Sequence, residues 1–395
     1  MKIFGKLFNW VFDDSGGGKK YLLDDKILFS GICLLVIGII MVYSASIAYA
    51  TNDKATHSQY FYIIRHVGYI SVGLVAGLLA FTQPTSFWRN NAPIIGLLVV
   101  ILLTAVLIPH IGKTVNGSKR WIGVGLLNLQ PSELAKLGMA IFLSYYVCSK
   151  NSNLSSFFKD VLPVFAIIGV VDGLLLLEPD MGSATVVFII ALGILFMANI
   201  DKLVVIGFSG IGVVGFVILI LIAPYRMRRV LGFINPWDDA LGKGYQLTHS
   251  LLAIGHGGWF GVGLGNSIEK LFYLPEAHTD FILAIIAEET GVVGIGIVML
   301  LFWIIFYRGF TVVGQQSKLL NRPFQAILAQ SISLWFFAQS LVNIGVTIGV
   351  LPTKGLTLPF VSFGGSSILV SCIALAILLK IDYENKLIRH GVPIE

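Results

Sequence analysis

The polar cluster PEAHTDF at 275–281 carries the clearest chemistry in the sequence, because it leads directly into a long apolar segment. Asp280 therefore lies where water gives way to lipid or protein. An ionisable side chain at such a position indicates a functional site. Helix capping is an equally good explanation, since Thr279 or Asp280 could accept hydrogen bonds from the first amides of the following helix. The residues alone leave both explanations open.

Two further carboxylates, Glu288 and Glu289, follow Asp280 inside the same apolar segment. On a helix, Glu288 lies about 80° from Asp280, and Glu289 faces the opposite side. The three side chains therefore cannot share one face, which argues against a metal site built from three carboxylates of this helix. Both glutamates need polar partners inside the protein, and we expect their role to be structural.

A second polar group comprises Arg120 and the run QPSELAK at 130–136. Lys136 could pair with Glu133 three residues earlier on the same helix, or it could point into a cavity and pair with Asp280. Arg120 could bind phosphate oxygens through two parallel hydrogen bonds. The alternative for a basic loop of this kind is a solvated surface.

Three other loops combine polar residues with glycine or proline. EPD at 178–180 places two acids between apolar segments, and residues 352–367 read PTKGLTLPFVSFGGSS. Irregular backbone at membrane depth persists only where it lines a protein or water-filled cavity, so its amides and hydroxyls could contact a sugar or a pyrophosphate. The glycine series from Gly255 to Gly265 matches neither a dinucleotide fingerprint nor a phosphate loop. It predicts closely packed or re-entrant backbone between helices.

The composition of the chain is that of a membrane protein. Of its 395 residues, 56% are apolar and only 12% are charged, which excludes a soluble enzyme. A helix needs about 20 apolar residues to cross a bilayer core of about 30 Å. We therefore predict an all-α polytopic protein with about ten transmembrane helices, near 27–49, 61–82, 93–109, 133–149, 160–177, 182–200, 203–223, 281–307, 325–350 and 367–381.

The distribution of basic residues predicts the orientation. The N-terminal segment, the even-numbered connections and the C-terminal tail hold 15 Lys and Arg residues, against five in the short segments of the opposite side. Both termini are therefore expected in the cytoplasm. The predicted divisions are a cytoplasmic segment 1–26, a transmembrane domain 27–381 and a cytoplasmic tail 382–395, with a large extracytoplasmic loop at about 224–279 between helices 7 and 8.

Taken together, the motifs resemble those of the SEDS family, named for shape, elongation, division and sporulation. The resemblance runs in order across about residues 27–381. It implies a polytopic glycosyltransferase that polymerises lipid II into peptidoglycan, and PEAHTDF and PTKG are closer to the division-type members than to the elongation-type members. The matching motifs are RWI at 120–122, QPSELAK, EPDMG at 178–182, GYQ at 244–246, PEAHTDF with the following AEE, and PTKGLTLPFVSFGGSS.

Carried over to these positions, the resemblance makes Asp280 the essential acid of the catalytic centre, with Arg120, Glu133 and Lys136 beside it in the cavity. Asp280 would act as general base towards the 4-hydroxyl of the acceptor sugar, or bind a divalent cation, Mg²⁺ or Mn²⁺, that does so. The residues expected to contact the substrate are Glu178, Gln246, His278, Thr279, Glu288, Lys354, Ser362 and Ser366.

The resemblance also implies partners and a location. Lipid II is the undecaprenyl-pyrophosphate-linked substrate, a class B penicillin-binding protein supplies transpeptidase activity, and other divisome membrane proteins join them at the septum of the cytoplasmic membrane. The net charge of +6 is no sign of nucleic-acid binding.

Three alternatives to a division-type polymerase remain. An elongation-type polymerase would differ in only a few residues. A lipid II flippase should distribute ionisable residues through both halves of the bundle, whereas here the polar motifs gather at the outer ends. A non-catalytic scaffold should retain its function when Asp280 is replaced.

Overall fold

The computed structural model describes residues 12–13, 20–21, 23–52, 58–115, 118–124, 127–150, 161–222, 224–242 and 244–392. Most of the predicted cytoplasmic segment 1–26 lies outside these residues. The described chain is mostly helical. Its helices are α1 (Asp25–Asn52), α2 (Phe61–Thr82), α3 (Thr85–Asn90), α4 (Ala92–Leu107), α5 (Pro131–Ser149), α6 (Leu162–Leu177), α7 (Met181–Met197), α8 (Lys202–Ile222), α9 (Pro224–Ile234), α10 (Tyr245–Gly257), α11 (Ile282–Tyr307), α12 (Gly314–Leu319), α13 (Pro323–Thr347) and α14 (Gly365–Arg389).

Each predicted apolar segment overlaps a helix. Six helices of the described chain are long and apolar enough to cross a membrane: α1, α2, α8, α11 with its continuation to Leu319, α13 and α14. The apolar helices α4, α6 and α7 are shorter. Pro131 and Pro323 occupy the first positions of α5 and α13, where the missing amide costs no hydrogen bond.

The prediction of an all-α protein is wrong in the connection between α4 and α5. Three antiparallel strands form there, β3 (Gly112–Val115), β4 (Ser118–Val124) and β5 (Leu127–Leu129), in that order. A second pair comprises β1 (Phe12–Asp13) and β2 (Lys20–Tyr21). The β-branched and aromatic residues of the connection suit a pleated sheet, which satisfies backbone groups that no helix pairs.

The structure adds detail at two of the predicted divisions. The predicted large loop at 224–279 contains the helices α9 and α10. Helix α14 continues to Arg389, beyond the predicted end of the membrane domain at residue 381. Polar side chains stabilise its last turns, because Arg322 pairs with Glu384 and donates to Asn385 Oδ1 at 2.7 Å.

Hydrogen bonds between connections bring the polar motifs to one end of the bundle. The connection after α13 reaches α7, where Lys354 Nζ donates to Thr185 Oγ1 at 3.0 Å. The connection before α5 reaches α14, where the Gln130 amide donates to Ser366 Oγ at 2.9 Å. Motifs that are far apart in the sequence therefore border one region.

Close backbone packing fixes the connection between α13 and α14 against α1. A Cβ atom at Gly38 would lie 2.7 Å from the Phe360 carbonyl oxygen and 3.0 Å from Val361 Cα. Gly68 on α2 has no such neighbour within 4 Å. Both glycines lie within helices, but only Gly38 is closely packed.

We predict that Gly38→Ala lowers the free energy of unfolding by about 1–3 kcal/mol, because the added methyl group displaces the loop backbone. Gly68→Ala is the matched control and should be neutral, or stabilising by up to about 1 kcal/mol, through helix propensity alone. Thermal unfolding in detergent measures both. Equal melting temperatures for the two variants would contradict the close approach.

Candidate active site

Asp280 lies at the end of a turn that precedes α11. The N-cap of α11 is Phe281, whose side chain makes no capping hydrogen bond. The Thr279 hydroxyl donates to Glu276 Oε2 at 2.6 Å. Asn343 Nδ2 donates to the Asp280 carbonyl oxygen at 3.1 Å. The Thr279 hydroxyl is thus bound within its own turn, and Asn343 fixes the backbone of Asp280.

Arg120 reaches the same region because of a β-bulge. Lys113 pairs with Trp121 and Thr114 with Lys119, which leaves Arg120 as the extra residue of β4. Such a bulge redirects a side chain away from the regular strand pattern. Arg120 Nε donates to the Glu178 carbonyl oxygen at 3.2 Å, and Nη2 donates to that of Pro179. The guanidinium is thereby held against the start of α7.

Gly355 keeps open the space that Asp280 and Arg120 border. A Cβ atom at this position would lie 2.9 Å from Asp280 Oδ2 and 4.0 Å from Arg120 Nη1. The carboxylate and the guanidinium therefore approach the same small volume from different elements. Any larger residue at position 355 would occupy part of it.

A cavity with about 510 Å³ of empty space, part of it open to solvent, lies beside this volume. Lys354 borders it, with its ammonium 3.0 Å from Thr185 Oγ1 and 4.4 Å from the centre of the Phe216 ring. Arg120 and Asp180 contribute further charge, and Ile220 and Val230 contribute apolar surface. The cavity thus combines two cations with an apolar wall.

Burial changes the protonation of two groups near the cavity. Burial lowers the pKa of Lys354 to about 8. Burial raises the pKa of Glu178 to about 8, with Asp180 raising it further and Arg120 opposing the rise. At neutral pH, Lys354 is therefore mostly charged and Glu178 mostly neutral.

Asp180 fastens the EPD connection to α5. Its carboxylate caps α7 by accepting from the Ser183 amide at 3.1 Å, and it accepts at 2.8 Å from the hydroxyls of Ser132 and Ser183. Because the cap and the Ser132 contact share one carboxylate, the start of α7 is fixed against the start of α5.

Lys136 pairs with Glu133, the first of its two predicted arrangements. The ammonium lies 2.7 Å from Glu133 Oε1 and 3.0 Å from Gln339 Oε1, fully buried. Gln339 in turn donates to the Thr357 carbonyl oxygen at 2.7 Å. The ion pair on α5 is therefore linked through α13 to the loop that carries Lys354.

Several predicted substrate contacts have their polar groups bound within the protein. Ser362 Oγ accepts from the Leu358 amide at 2.8 Å, and Ser366 Oγ bonds to the backbone of Asn128 and Gln130. Glu288 is fully buried and accepts from the amides of Ile268 and Glu269. These contacts hold loops in place.

His278 lies two residues before Asp280 in the same turn, and Gln246 lies on α10. The His278 ring packs between Tyr49, Tyr62 and Phe363, with ring centres 4.8–5.7 Å away. Burial lowers its pKa, so the ring is neutral at neutral pH. Gln246 lies half-buried in the first turn of α10. The roles of both remain predictions.

Sequence reasoning missed Gln339 and Asn343. Both lie on α13, four residues apart on one helix face. Asn343 bonds the carbonyl oxygens of both Asp280 and Leu356, the latter at 2.7 Å. Their polarity at membrane depth was the signal that could have revealed them.

Comparison with known proteins identifies the family of the chain. Residues 25–387 match the family profile of FtsW, RodA and SpoVE, described as cell cycle proteins. The chain belongs to this family. Relatives in the FtsW/RodA/SpoVE family include the probable peptidoglycan glycosyltransferase FtsW of Burkholderia thailandensis, 48% identical over 93% of this chain and 80% of that protein. The FtsW of Coxiella burnetii, with the same description, is 42% identical over 92% of this chain and 97% of its own.

Solved structures of the FtsW/RodA/SpoVE family share the fold. A chain from a peptidoglycan synthase complex, described as coordinating polymerization and crosslinking, has a TM-score of 0.75 at 25% identity, covering 92% of this chain and 98% of that one. The rod shape determining protein RodA of Thermus thermophilus has a TM-score of 0.67 at 24% identity, covering 92% and 97%. The closer sequence likeness to FtsW agrees with the division-type motifs.

We predict that Lys136→Met lowers the free energy of unfolding by about 3–5 kcal/mol, because it leaves the Glu133 carboxylate buried without its cation. The double variant Lys136→Met with Glu133→Gln should recover most of that loss. Melting temperatures of the three proteins in detergent test this. If the double variant is no more stable than the single one, the pair is not the source of the loss.

Proposed function

We propose that this chain is a peptidoglycan glycosyltransferase that polymerises lipid II during septal cell-wall synthesis. The observation that carries the proposal is a cavity lined by Arg120, Lys354 and Gly355, with the Asp280 carboxylate beside Gly355, in a chain of the FtsW/RodA/SpoVE family. Relatives at 42–48% identity bear the FtsW name, which supports a division role over elongation.

The proposed topology places this cavity at the outer face of the cytoplasmic membrane. Ten spans with both termini in the cytoplasm follow from the basic residues, of which 15 lie on one side and five in the short segments of the other. The sugars and pyrophosphate of lipid II would then enter the cavity while its polyprenyl tail stays between helices. The proposed location is the septal region of the cytoplasmic membrane.

The proposed reaction is a displacement at the anomeric carbon of the donor. The 4-hydroxyl oxygen of the acceptor sugar forms the new glycosidic bond, and the bond from the anomeric carbon to the pyrophosphate breaks. Asp280 accepts the hydroxyl proton as general base. Arg120 and Lys354 stabilise the negative charge that develops on the departing undecaprenyl pyrophosphate.

A protein-held metal centre does not fit the residues around Asp280. Among the residues that the structure describes, no group of three or more His, Cys, Asp or Glu side chains could hold a metal ion. We therefore propose Asp280 as the single protein ligand that Mg²⁺ or Mn²⁺ would have here. When bound, such a cation would neutralise charge on the leaving group.

A class B penicillin-binding protein is the proposed partner that crosslinks the strands. The solved relative described as a peptidoglycan synthase complex couples polymerization with crosslinking, which supports this assignment. Other membrane proteins of the divisome complete the proposed assembly at the septum.

We predict that Asp280→Asn reduces lipid II polymerisation at least about 100-fold, the usual contribution of a general base. The measurement is glycan-strand formation in liposomes by the chain with its cognate transpeptidase. The matched control is Asp238→Asn, the same change at an exposed acid of the large loop, which should leave the rate unchanged. Full activity in Asp280→Asn, with complex formation and melting temperature intact, would exclude Asp280 from the reaction and favour a scaffold.

We predict a loss of polymerisation as pH rises through about 8, since Lys354 then loses its proton and its charge. Lys354→Arg keeps the charge and should flatten this alkaline fall. Glu178 ionises in the same range, so Glu178→Gln is the necessary control. If Glu178→Gln abolishes the fall and Lys354→Arg leaves it in place, the assignment of Lys354 as the phosphate-binding cation is wrong.

A further inference from the structure

The segment that follows α10 forms backbone hydrogen bonds with a break in α11. Gly291 interrupts that helix with φ 72° and ψ −170°. The Val262 amide donates to the Glu288 carbonyl oxygen at 2.9 Å, and the Val292 amide donates to that of Gly258 at 3.0 Å. The loop and the broken helix therefore satisfy each other's backbone groups, as non-helical backbone in a membrane requires.

The position of the break gives the depth of this contact. Gly291 lies nine residues beyond the first residue of α11. At 1.5 Å per residue, the break is about 13–14 Å along the helix axis. The eighth span is predicted to begin at residue 281, at the surface of a bilayer core about 30 Å thick, so this prediction puts the segment near the middle of the core.

Glycines allow the two backbones to come this close. A Cβ atom at Gly257 would lie 1.9 Å from the Ala287 carbonyl oxygen, and one at Gly261 would lie 2.2 Å from that of Glu289. Gly261 also has φ 81°, a conformation that other residues rarely adopt. Gly257 and Gly261 are therefore required by the approach of the loop to α11.

The two buried glutamates of α11 bind residues 267–270, the returning limb of the segment. Glu288 accepts hydrogen bonds from the Ser267 hydroxyl and from the Ile268 amide, the latter at 3.0 Å. Glu289 pairs with Lys270 at 2.7 Å and accepts from Ser44 Oγ of α1 at 2.6 Å. Both limbs of the segment are thus fixed at membrane depth.

The tip of the segment presents large apolar side chains outward. Phe260 is 82% exposed, Trp259 72% and Leu264 62%. Exposed apolar groups of this size at the depth of the bilayer core have hydrocarbon as their natural surroundings. The bundle covers the opposite side of the same segment through the break in α11.

We propose that residues 258–268 are a re-entrant hairpin whose apolar tip lies among the acyl chains of the leaflet that faces the catalytic cavity. The hairpin anchors the extracytoplasmic loop to the bilayer. Its returning limb continues through Leu274, whose carbonyl oxygen accepts from the Tyr49 hydroxyl at 3.1 Å, to Asp280. The lipid contact is therefore continuous with the turn that positions the carboxylate, and it does not depend on which reaction that carboxylate performs.

Site-directed fluorescence in liposomes tests the location of the tip. Single cysteines replace Phe260, Leu264 or Leu241 in a chain whose Cys33, Cys148 and Cys372 are changed to alanine, and each carries a bimane label. Leu241 is the matched control, because it is 90% exposed in the same large loop but follows Asp238 and Asp239. We expect nitroxides at mid-acyl-chain positions to quench labels at 260 and 264 at least about threefold more than at 241. Aqueous iodide should give the reverse order.

Two outcomes would overturn the proposal. Quenching of the 260 label by iodide and not by lipid would place the tip in water. Shielding from both quenchers would mean that protein, such as a second copy of the chain, covers it. Should the cysteine background fail to fold, Trp259→Phe in the native chain provides the same comparison. It should remove intrinsic fluorescence that mid-chain brominated lipids quench, whereas Trp237→Phe should not.

Discussion

Backbone that leaves a helix inside a membrane must find hydrogen-bond partners within the protein, and this constraint accounts for several buried polar side chains of the bundle. Asn343 and Gln339 donate from α13 to carbonyl oxygens of the loops that carry Asp280 and Lys354. Glu288 accepts the amides of the re-entrant segment. The site can therefore be built from irregular loops because helical side chains satisfy the backbone of those loops.

The sequence predicts the helical scaffold well, since apolar length is a local property. Each of the ten predicted segments overlaps a helix, and the structure adopts the local alternative for Lys136, its pair with Glu133. The family motifs also point to Asp280 and Arg120. The helical segments and the Lys136 pair depend on residue type within a few turns of chain, whereas the roles of Asp280 and Arg120 remain predictions.

The features that sequence reasoning missed depend on contacts between distant segments. The bulge at Arg120 arises from the register of β3 and β4. The sequence of this polar, glycine-containing connection does not indicate that register. Asn343 has its role because a turn 63 residues away places the Asp280 carbonyl oxygen beside the Asn343 side chain. Likewise, α14 extends to Arg389 because Arg322 on another element pairs with Glu384.

Four cations among the described residues differ in whether carboxylates compensate their charge, and this difference bears on the reaction. Lys136 and Lys270 are buried against carboxylates, so their charge is compensated within the fold. Lys354 instead contacts the Thr185 hydroxyl and the Phe216 ring, which are neutral, whereas Arg120 binds two backbone carbonyl oxygens and approaches the volume that the Asp280 carboxylate borders. A cation placed in a partly apolar cavity against neutral groups gains most from an anionic ligand. The same positive potential would lower the energy of a leaving pyrophosphate more than that of the neutral acceptor sugar, which is the selectivity that a glycosyl transfer needs.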